Sequence, residues 1–146
     1  MSRGAAFSAS SKGLRLARKA WQLLHQDSAR SIELAREALQ AALSHDDQPG
    51  QAWARLAIGF HLLYFGTPAE AAAELTAAQA QFETLDDHAG HILSGTGLAR
   101  CLWREGRFAA SLEQVLPLRE PGLQVLQHEQ RGVLLNTIAG CYSAQG

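Results

Sequence analysis

The sequence contains few β-branched aliphatic residues. Its 146 residues include only three valines and four isoleucines, against 26 alanines and 22 leucines. Alanine and leucine are good helix formers, whereas valine and isoleucine favour strands. This composition argues against a β-sheet fold, and we expect an all-α protein of one domain.

The sequence also lacks an excess of charge and any long apolar run. It has 13 lysines and arginines and 14 acidic residues, for a formal net charge of −1, without a basic cluster. Nucleic-acid binding requires a basic surface, so we expect no nucleic-acid partner. No segment resembles a signal peptide or is long and apolar enough to cross a membrane. We therefore expect a cytoplasmic protein without membrane contact.

A pattern of four residues recurs at intervals of forty. Each set has a large residue, a small residue beside it, an apolar residue three positions after the small one and a glycine four positions later. The three sets are Ile58, Gly59, Leu62 and Gly66; Leu98, Ala99, Leu102 and Gly106; and Ile138, Ala139, Tyr142 and Gly146. The small residue leaves room for a partner helix. A period between 20 and 50 residues predicts stacked helical hairpins that share a core.

The most complete of these repeats resembles the tetratricopeptide repeat family. Its second helix continues with Ala71, Leu75 and Ala78, which complete the family's signature, and the resemblance covers about residues 12–146. The period is forty where the family usually has 34, and Trp53 lies two positions ahead of the family's tryptophan. The resemblance implies an α-α superhelix, right-handed, of about seven helices: three hairpins and one unpaired last helix.

We expect a disordered tail over residues 1–10, then repeats at about 12–50, 51–90 and 91–130 and a partial repeat at 131–146. Helices are expected at about 12–26, 29–44, 51–65, 68–85, 88–105 and 129–144. A sixth helix starts at Arg107 and breaks near Leu116 because prolines follow at 117 and 121, with a short helical piece after Pro121. The first helix is shifted by one residue against the later repeats, as in a terminal cap.

The pattern stops at Gly146, before a second helix could cover Ile138 and Tyr142. We therefore expect the chain to be a fragment of a longer protein. An apolar face left open in this way favours self-association, so we expect a homodimer through the C-terminal face.

The two cysteines, Cys101 and Cys141, lie forty residues apart at the same place in the repeat, and His61 holds that place one repeat earlier. Stacked helices lie about 8–10 Å apart, which exceeds the Cα separation of about 7 Å that a disulfide allows. We expect reduced, partly buried thiols with a packing role.

Three motifs have a chemical and a structural explanation. The pairs Asp46-Asp47 and Asp86-Asp87 suit a cation or acid–base site, but their forty-residue spacing favours helix caps. His88 and His91 share a helix face, without a second ligand pair that would complete a metal site. The segment Gly95-Thr96-Gly97 lacks the context of a nucleotide loop and favours close helix packing. We expect no catalytic site, metal or other cofactor.

The resemblance places a ligand groove on the inward face of the first helices. The residues that it assigns there are Trp53, Leu56, Phe60, Leu63, Tyr64, Leu93, Thr96, Arg100, Trp103, Arg104, Asn136 and Ser143. Aromatic side chains in one half and arginines with an asparagine in the other suit an apolar peptide or helix with an acidic end. The alternative is that these aromatics form core, or are covered by another part of a longer protein.

The resemblance implies a protein- or peptide-binding module and no enzyme activity within this chain. Long-period arrays of this kind resemble those that precede output domains in bacterial regulators, such as diguanylate cyclases of the GGDEF type or helix-turn-helix activators. Eleven arginines against two lysines also favour a bacterial source. The alternative is a dimerisation module attached to an enzyme whose catalytic domain lies outside this chain.

Overall fold

The computed structural model describes residues 11–145 and is all-α, with no strand among them. The helices are α1 (Lys12–Leu23), α2 (Ser28–Ser44), α3 (Gln48–Phe65), α4 (Pro68–Leu85), α5 (His88–Arg104), α6 (Phe108–Val115), α7 (Arg119–Val125) and α8 (His128–Gln145), with a 3-10 turn at Leu116–Leu118. The all-α prediction is confirmed. The predicted tail at 1–10 and the turn glycine at 146 lie outside the described residues.

The helices pack as consecutive hairpins. Each of α1, α3 and α5 pairs with the helix that follows it, and α1 packs on α3, α3 on α5 and α5 on α8. The second helices α2, α4 and α6 pack mainly against the first helix of their own hairpin and that of the next. The first helices therefore form one continuous layer. The right-handed twist of the stack stays a prediction.

The aspartate pairs start and stop helices, as predicted. Asp46 and Asp86 adopt left-handed backbone conformations with φ of 51° and 58°, which turn the chain out of the preceding helix. Asp47 and Asp87 are N-caps whose Oδ1 atoms accept from the N–H groups of Gly50 and Gly90, each at 3.0 Å. This division of roles explains why both pairs recur at the repeat period.

The seams within the hairpins depend on small residues. The Ser31 hydroxyl donates to the Ala20 carbonyl and the Ser111 hydroxyl to the Ala99 carbonyl, each at 2.6 Å between buried groups. The two serines are 80 residues apart but the two alanines 79. The predicted one-residue shift of the first helix is therefore confirmed.

Prolines divide the third hairpin as predicted, with one difference. α6 ends at Val115, the 3-10 turn follows, and α7 begins at Arg119 instead of after Pro121. Pro121 is the third residue of α7, where the backbone N–H that proline lacks would have no partner within the helix.

The prediction that Ile138 lies open is wrong. Its side chain is 8% exposed and belongs to the main core cluster, because α8 packs against α5, α6 and α7. Tyr142, the other residue of that expectation, is 54% exposed.

Both cysteines are free and buried. Burial raises the pKa of the Cys101 thiol to about 11, with a smaller contribution from Glu105. The Cys141 sulfur lies 3.2 Å from the Ser111 hydroxyl. Burial also lowers the pKa of His61, and the nearby Arg36 lowers it further. Cys101 and Cys141 thus belong to the main core cluster, whereas His61 at the same repeat position is half-buried.

Replacing Gly90 by alanine should destabilise the protein by about 1–3 kcal/mol, because a Cβ there would lie 2.2 Å from the buried Phe82 ring. The matched control is Gly132→Ala in α8, where, among the described residues and apart from the adjoining backbone of α8, no atom lies within 4 Å of the added Cβ. That change should stabilise the protein by about 0.5–1 kcal/mol. Urea unfolding measures both, and equal effects would contradict the packing described.

Both thiols should be unreactive toward a thiol reagent in the folded protein at neutral pH and should react after unfolding without reductant. Burial blocks access, and for Cys101 the raised pKa leaves little thiolate. Titration with a chromogenic disulfide reagent counts the thiols. Fast labelling of either cysteine in the folded state would contradict its placement.

Candidate functional site

A cavity of about 330 Å³ opens between α3, α5 and α8. We call it the arginine recess. It is lined by Leu63, Tyr64, Arg100, Trp103, Arg104, Asn136, Thr137 and Gly140. The first six of these were predicted from the sequence to face the groove. The stacking of the first helices thus brings half of the predicted site together in one place.

Arg100 reaches across the recess to both neighbouring helices. Its Nε donates to the Thr137 hydroxyl at 2.6 Å and its Nη1 to the Tyr64 phenol oxygen at 2.5 Å. A longer contact of 3.5 Å joins Nη2 to the Val133 carbonyl. The guanidinium carbon also lies 5.9 Å from the centre of the Tyr64 ring, within cation–π range. Arg100 therefore links α3 and α8 to α5, and its positively charged guanidinium group lines the recess.

Arg104 and Trp103 form the adjoining wall. The Arg104 side chain is exposed and donates from Nη1 to the Leu63 carbonyl. Trp103 is 41% exposed; its indole N–H donates to the Gly140 carbonyl at 3.2 Å, and its ring stands edge-on to Phe108. A guanidinium offers five N–H donors, so Arg104 keeps most of its donors free for a ligand.

Among residues 11–145, neither of the two guanidinium groups has a carboxylate partner. The ion pairs of residues 11–145 join Arg30–Glu33, His88–Asp86, His91–Glu83, Arg107–Glu105 and Arg119–Glu120. None of them involves a residue of the arginine recess. The recess is therefore a cationic spot with aromatic walls on a chain whose net charge is −1.

Five residues predicted for the groove are at most 1% exposed, and four of them do not line the arginine recess: Leu56, Phe60, Leu93 and Thr96. The fifth, Leu63, belongs to the core and also lines the recess. Phe60 is covered by Trp21, with 5.0 Å between ring centres, and the Thr96 hydroxyl donates to the Ile92 carbonyl of its own helix at 2.8 Å. The alternative interpretation of the sequence, in which these side chains form core, is correct for these four positions. Ser143 is exposed on α8 and does not line the recess.

Trp53 lines a second cavity, of about 580 Å³, which we call the tryptophan recess. Its other lining residues are Arg18, Trp21, Gln22, Ala89, Val125, Gln127, Glu129 and Gln130. The indole N–H of Trp53 donates at 3.1 Å to Oδ2 of Asp87, the carboxylate that also caps α5. One aspartate thus starts a helix and orients a tryptophan of the preceding hairpin.

The prediction missed Thr137, Gly140 and Trp21. The one-residue shift of the first helix provides a signal for Trp21, because it aligns this residue with Phe60 and Arg100 in the inward column. Thr137 and Gly140 are small and lie on the partial repeat, where the sequence pattern gives no contrast. Only the structure identifies them, through the hydrogen bonds from Arg100 to Thr137 and from Trp103 to the Gly140 carbonyl.

The other motifs have structural explanations. The imidazoles of His88 and His91 approach different carboxylates, Asp86 at 3.6 Å and Glu83 at 3.7 Å. Within residues 11–145 no group of three or more His, Cys, Asp or Glu could hold a metal ion. A Cβ at Gly95 would lie 2.9 Å from Leu118, and one at Gly97 2.8 Å from Leu75. These glycines therefore allow close helix packing.

Comparison of the chain with protein-family models, curated proteins and solved structures finds no match. None of the helices within residues 11–145 is both long enough and apolar enough to span a membrane.

Replacing Asp87 by alanine should destabilise the protein by about 2 kcal/mol, because both an N-cap and the Trp53 hydrogen bond are lost. Asp27→Ala is the matched control, since the Asp27 side chain only caps the N–H of Arg30. It should lose about 1 kcal/mol. Equal losses in urea unfolding would show that the Trp53 bond contributes nothing.

Proposed function

We propose that this chain is a peptide-binding helical repeat module of the tetratricopeptide type. Its arginine recess holds an apolar peptide residue next to a carboxylate. The observation that supports this proposal is the pair of guanidinium groups, Arg100 and Arg104, beside Tyr64 and Trp103 without an acidic partner. In the family that the sequence resembles, the ligand surface lies on the first helices, which are the helices that line this recess.

The size and chemistry of the recess favour a short anionic ligand segment. A volume of about 330 Å³ is at the lower end of small-ligand sites, which corresponds to one or two side chains. Guanidinium groups bind carboxylates through paired hydrogen bonds, and aromatic walls pack against apolar groups. Asn136, exposed on α8, adds a donor and an acceptor that a peptide bond can use.

On this proposal the chain serves as the sensory or scaffolding part of a bacterial signalling protein, without enzyme activity of its own. The module binds a partner protein, and an output domain of the GGDEF or helix-turn-helix kind acts on the result. The support for this context is the resemblance of the long-period repeat to such regulators. No cofactor is required for binding.

Asn136→Asp should weaken the binding of an acidic peptide about tenfold or more, because it places a negative charge between the arginines and the ligand. The probe is a capped hexapeptide with Leu-Asp at its centre, and its Leu-Asn counterpart is the neutral comparison. Calorimetry measures affinity, and thermal unfolding measures stability, which should stay within 0.5 kcal/mol or so because Asn136 is exposed.

The matched control is Gln124→Glu, which adds the same charge on α7 outside the recess. Arg104→Ala should also weaken binding. Arg107→Ala removes an equal charge, but Arg107 is paired with Glu105 outside the recess, so this change should leave binding unaffected. Equal binding of the Leu-Asp and Leu-Asn peptides would overturn the proposal.

A second candidate function, self-association, is supported by the outer face of α8. Leu135, Ala139 and Tyr142 follow one another at helical spacing; all are exposed, Leu135 to 39% and Tyr142 to 54%. We propose that a second copy of the chain covers this α8 face, which makes the chain a dimerisation module. Burial of one large apolar side chain contributes roughly 1.5–3 kcal/mol.

Leu135→Glu should shift the protein from dimer to monomer, because the charge would be buried between two α8 faces. Leu43→Glu is the control, since Leu43 is an exposed leucine, at 52%, near the end of α2. Sedimentation equilibrium over a concentration series gives the association constant. A monomeric parent protein at high concentration would contradict self-association.

A further inference from the structure

The tryptophan recess has fixed aromatic walls. Trp21 stands edge-on to Phe60 with ring centres 5.0 Å apart, and Trp53 stands edge-on to Phe82 at 5.1 Å. Both phenylalanines are buried. Trp53 is also held by Asp87, so neither indole needs to reorganise when a ligand arrives.

Hydrogen-bond donors without partners surround these rings. Within residues 11–145, the Trp21 indole N–H and the carboxamides of Gln22 and Gln127 form no hydrogen bond. Gln130 uses its carboxamide oxygen to accept from the Gln127 backbone at 2.9 Å, which leaves its NH₂ group free. The recess therefore offers more donors than acceptors, and it suits a ligand rich in carbonyl groups.

The charges of the recess balance. Arg18 and Glu129 are the charged residues among its lining, one of each sign. A strongly anionic ligand would meet Glu129 and a strongly cationic one Arg18. This balance distinguishes the tryptophan recess from the arginine recess and favours an uncharged ligand.

We propose that the tryptophan recess is a second binding site, and that it takes an uncharged, proline-containing peptide segment in the polyproline II conformation. Proline residues have no backbone N–H, and the carbonyl groups of this helix have no internal partners, so they accept from donors such as those of Trp21, Gln22 and Gln130. The apolar pyrrolidine rings pack on tryptophan faces, as in other aromatic-lined grooves that recognise proline-rich segments. The site acts independently of the arginine recess.

Fluorescence of the Trp103→Phe variant tests the site, because its remaining tryptophans, Trp21 and Trp53, both line the recess. The probes are a capped hexaproline peptide, a capped Gly-Ser hexapeptide and the neutral oligosaccharide cellohexaose. We expect saturable binding of hexaproline, at least tenfold tighter than that of the Gly-Ser peptide. This affinity should change little between 50 mM and 500 mM salt, because the ligand is uncharged.

Gln22→Ala with Gln127→Ala should weaken hexaproline binding roughly tenfold without a change in melting temperature, since both side chains are exposed and unpartnered. Gln124→Ala on α7, outside the recess, is the control and should leave binding unchanged. Trp21→Ala should abolish binding, with its effect on folding followed by circular dichroism.

Absence of hexaproline binding by the folded Trp103→Phe variant would overturn this inference, as would equal binding of the Gly-Ser peptide. Binding of cellohexaose in place of hexaproline would identify a sugar site instead. Asn136→Asp should not affect hexaproline binding. A failure of the acidic peptide in the arginine recess is therefore distinguishable from a failure here.

Discussion

The close approach of the two helices of each hairpin is the constraint on which the rest of the structure depends. It requires a small residue on the first helix wherever the second helix crosses it. Gly59 is such a position, since a Cβ there would lie 2.7 Å from Leu75, and Ala20 and Ala99 accept hydrogen bonds from buried serines at the equivalent seams. Close packing within the hairpins leaves the first helices stacked on one another, α1 on α3, α3 on α5 and α5 on α8.

The layer of first helices has two recesses of different chemistry, the arginine recess and the tryptophan recess. Toward the C-terminal ends of α3 and α5, Arg100 and Arg104 bond to phenol, hydroxyl and carbonyl oxygens of α3 and α8, which orient the guanidinium groups but do not neutralise them. The second recess lies between Trp53, near the N-terminal end of α3, and Trp21, near the C-terminal end of α1. Buried phenylalanines fix both rings, and the charges of the lining balance. The packing of the layer thus fixes the walls of both recesses, and the polar groups on those walls are the basis of the two ligand proposals.

The fold could be predicted from the sequence because repetition amplifies each weak signal. The recurring large–small pair, the aspartate pairs and Pro117 located the hairpins, the caps and the break. The site was only half predictable. Periodicity identifies which residues of a helix face inward, but not how far each side chain is buried. Phe60 was therefore assigned to the ligand surface, although Trp21 covers it. Ile138 was expected to be open because the pattern stops before a second helix that could cover it, but α8 packs against the preceding helices α5, α6 and α7.

Ligand binding in the arginine recess is tested most directly by nuclear magnetic resonance of the side-chain N–H groups of Arg100, Arg104 and Trp103 during titration with the capped Leu-Asp peptide. We expect these three resonances to shift together and to saturate at one affinity, and the Trp21 and Trp53 indole resonances to stay in place. Saturating shifts of the two other indoles, with the arginine signals unchanged, would contradict the claim that the arginine recess binds the acidic ligand.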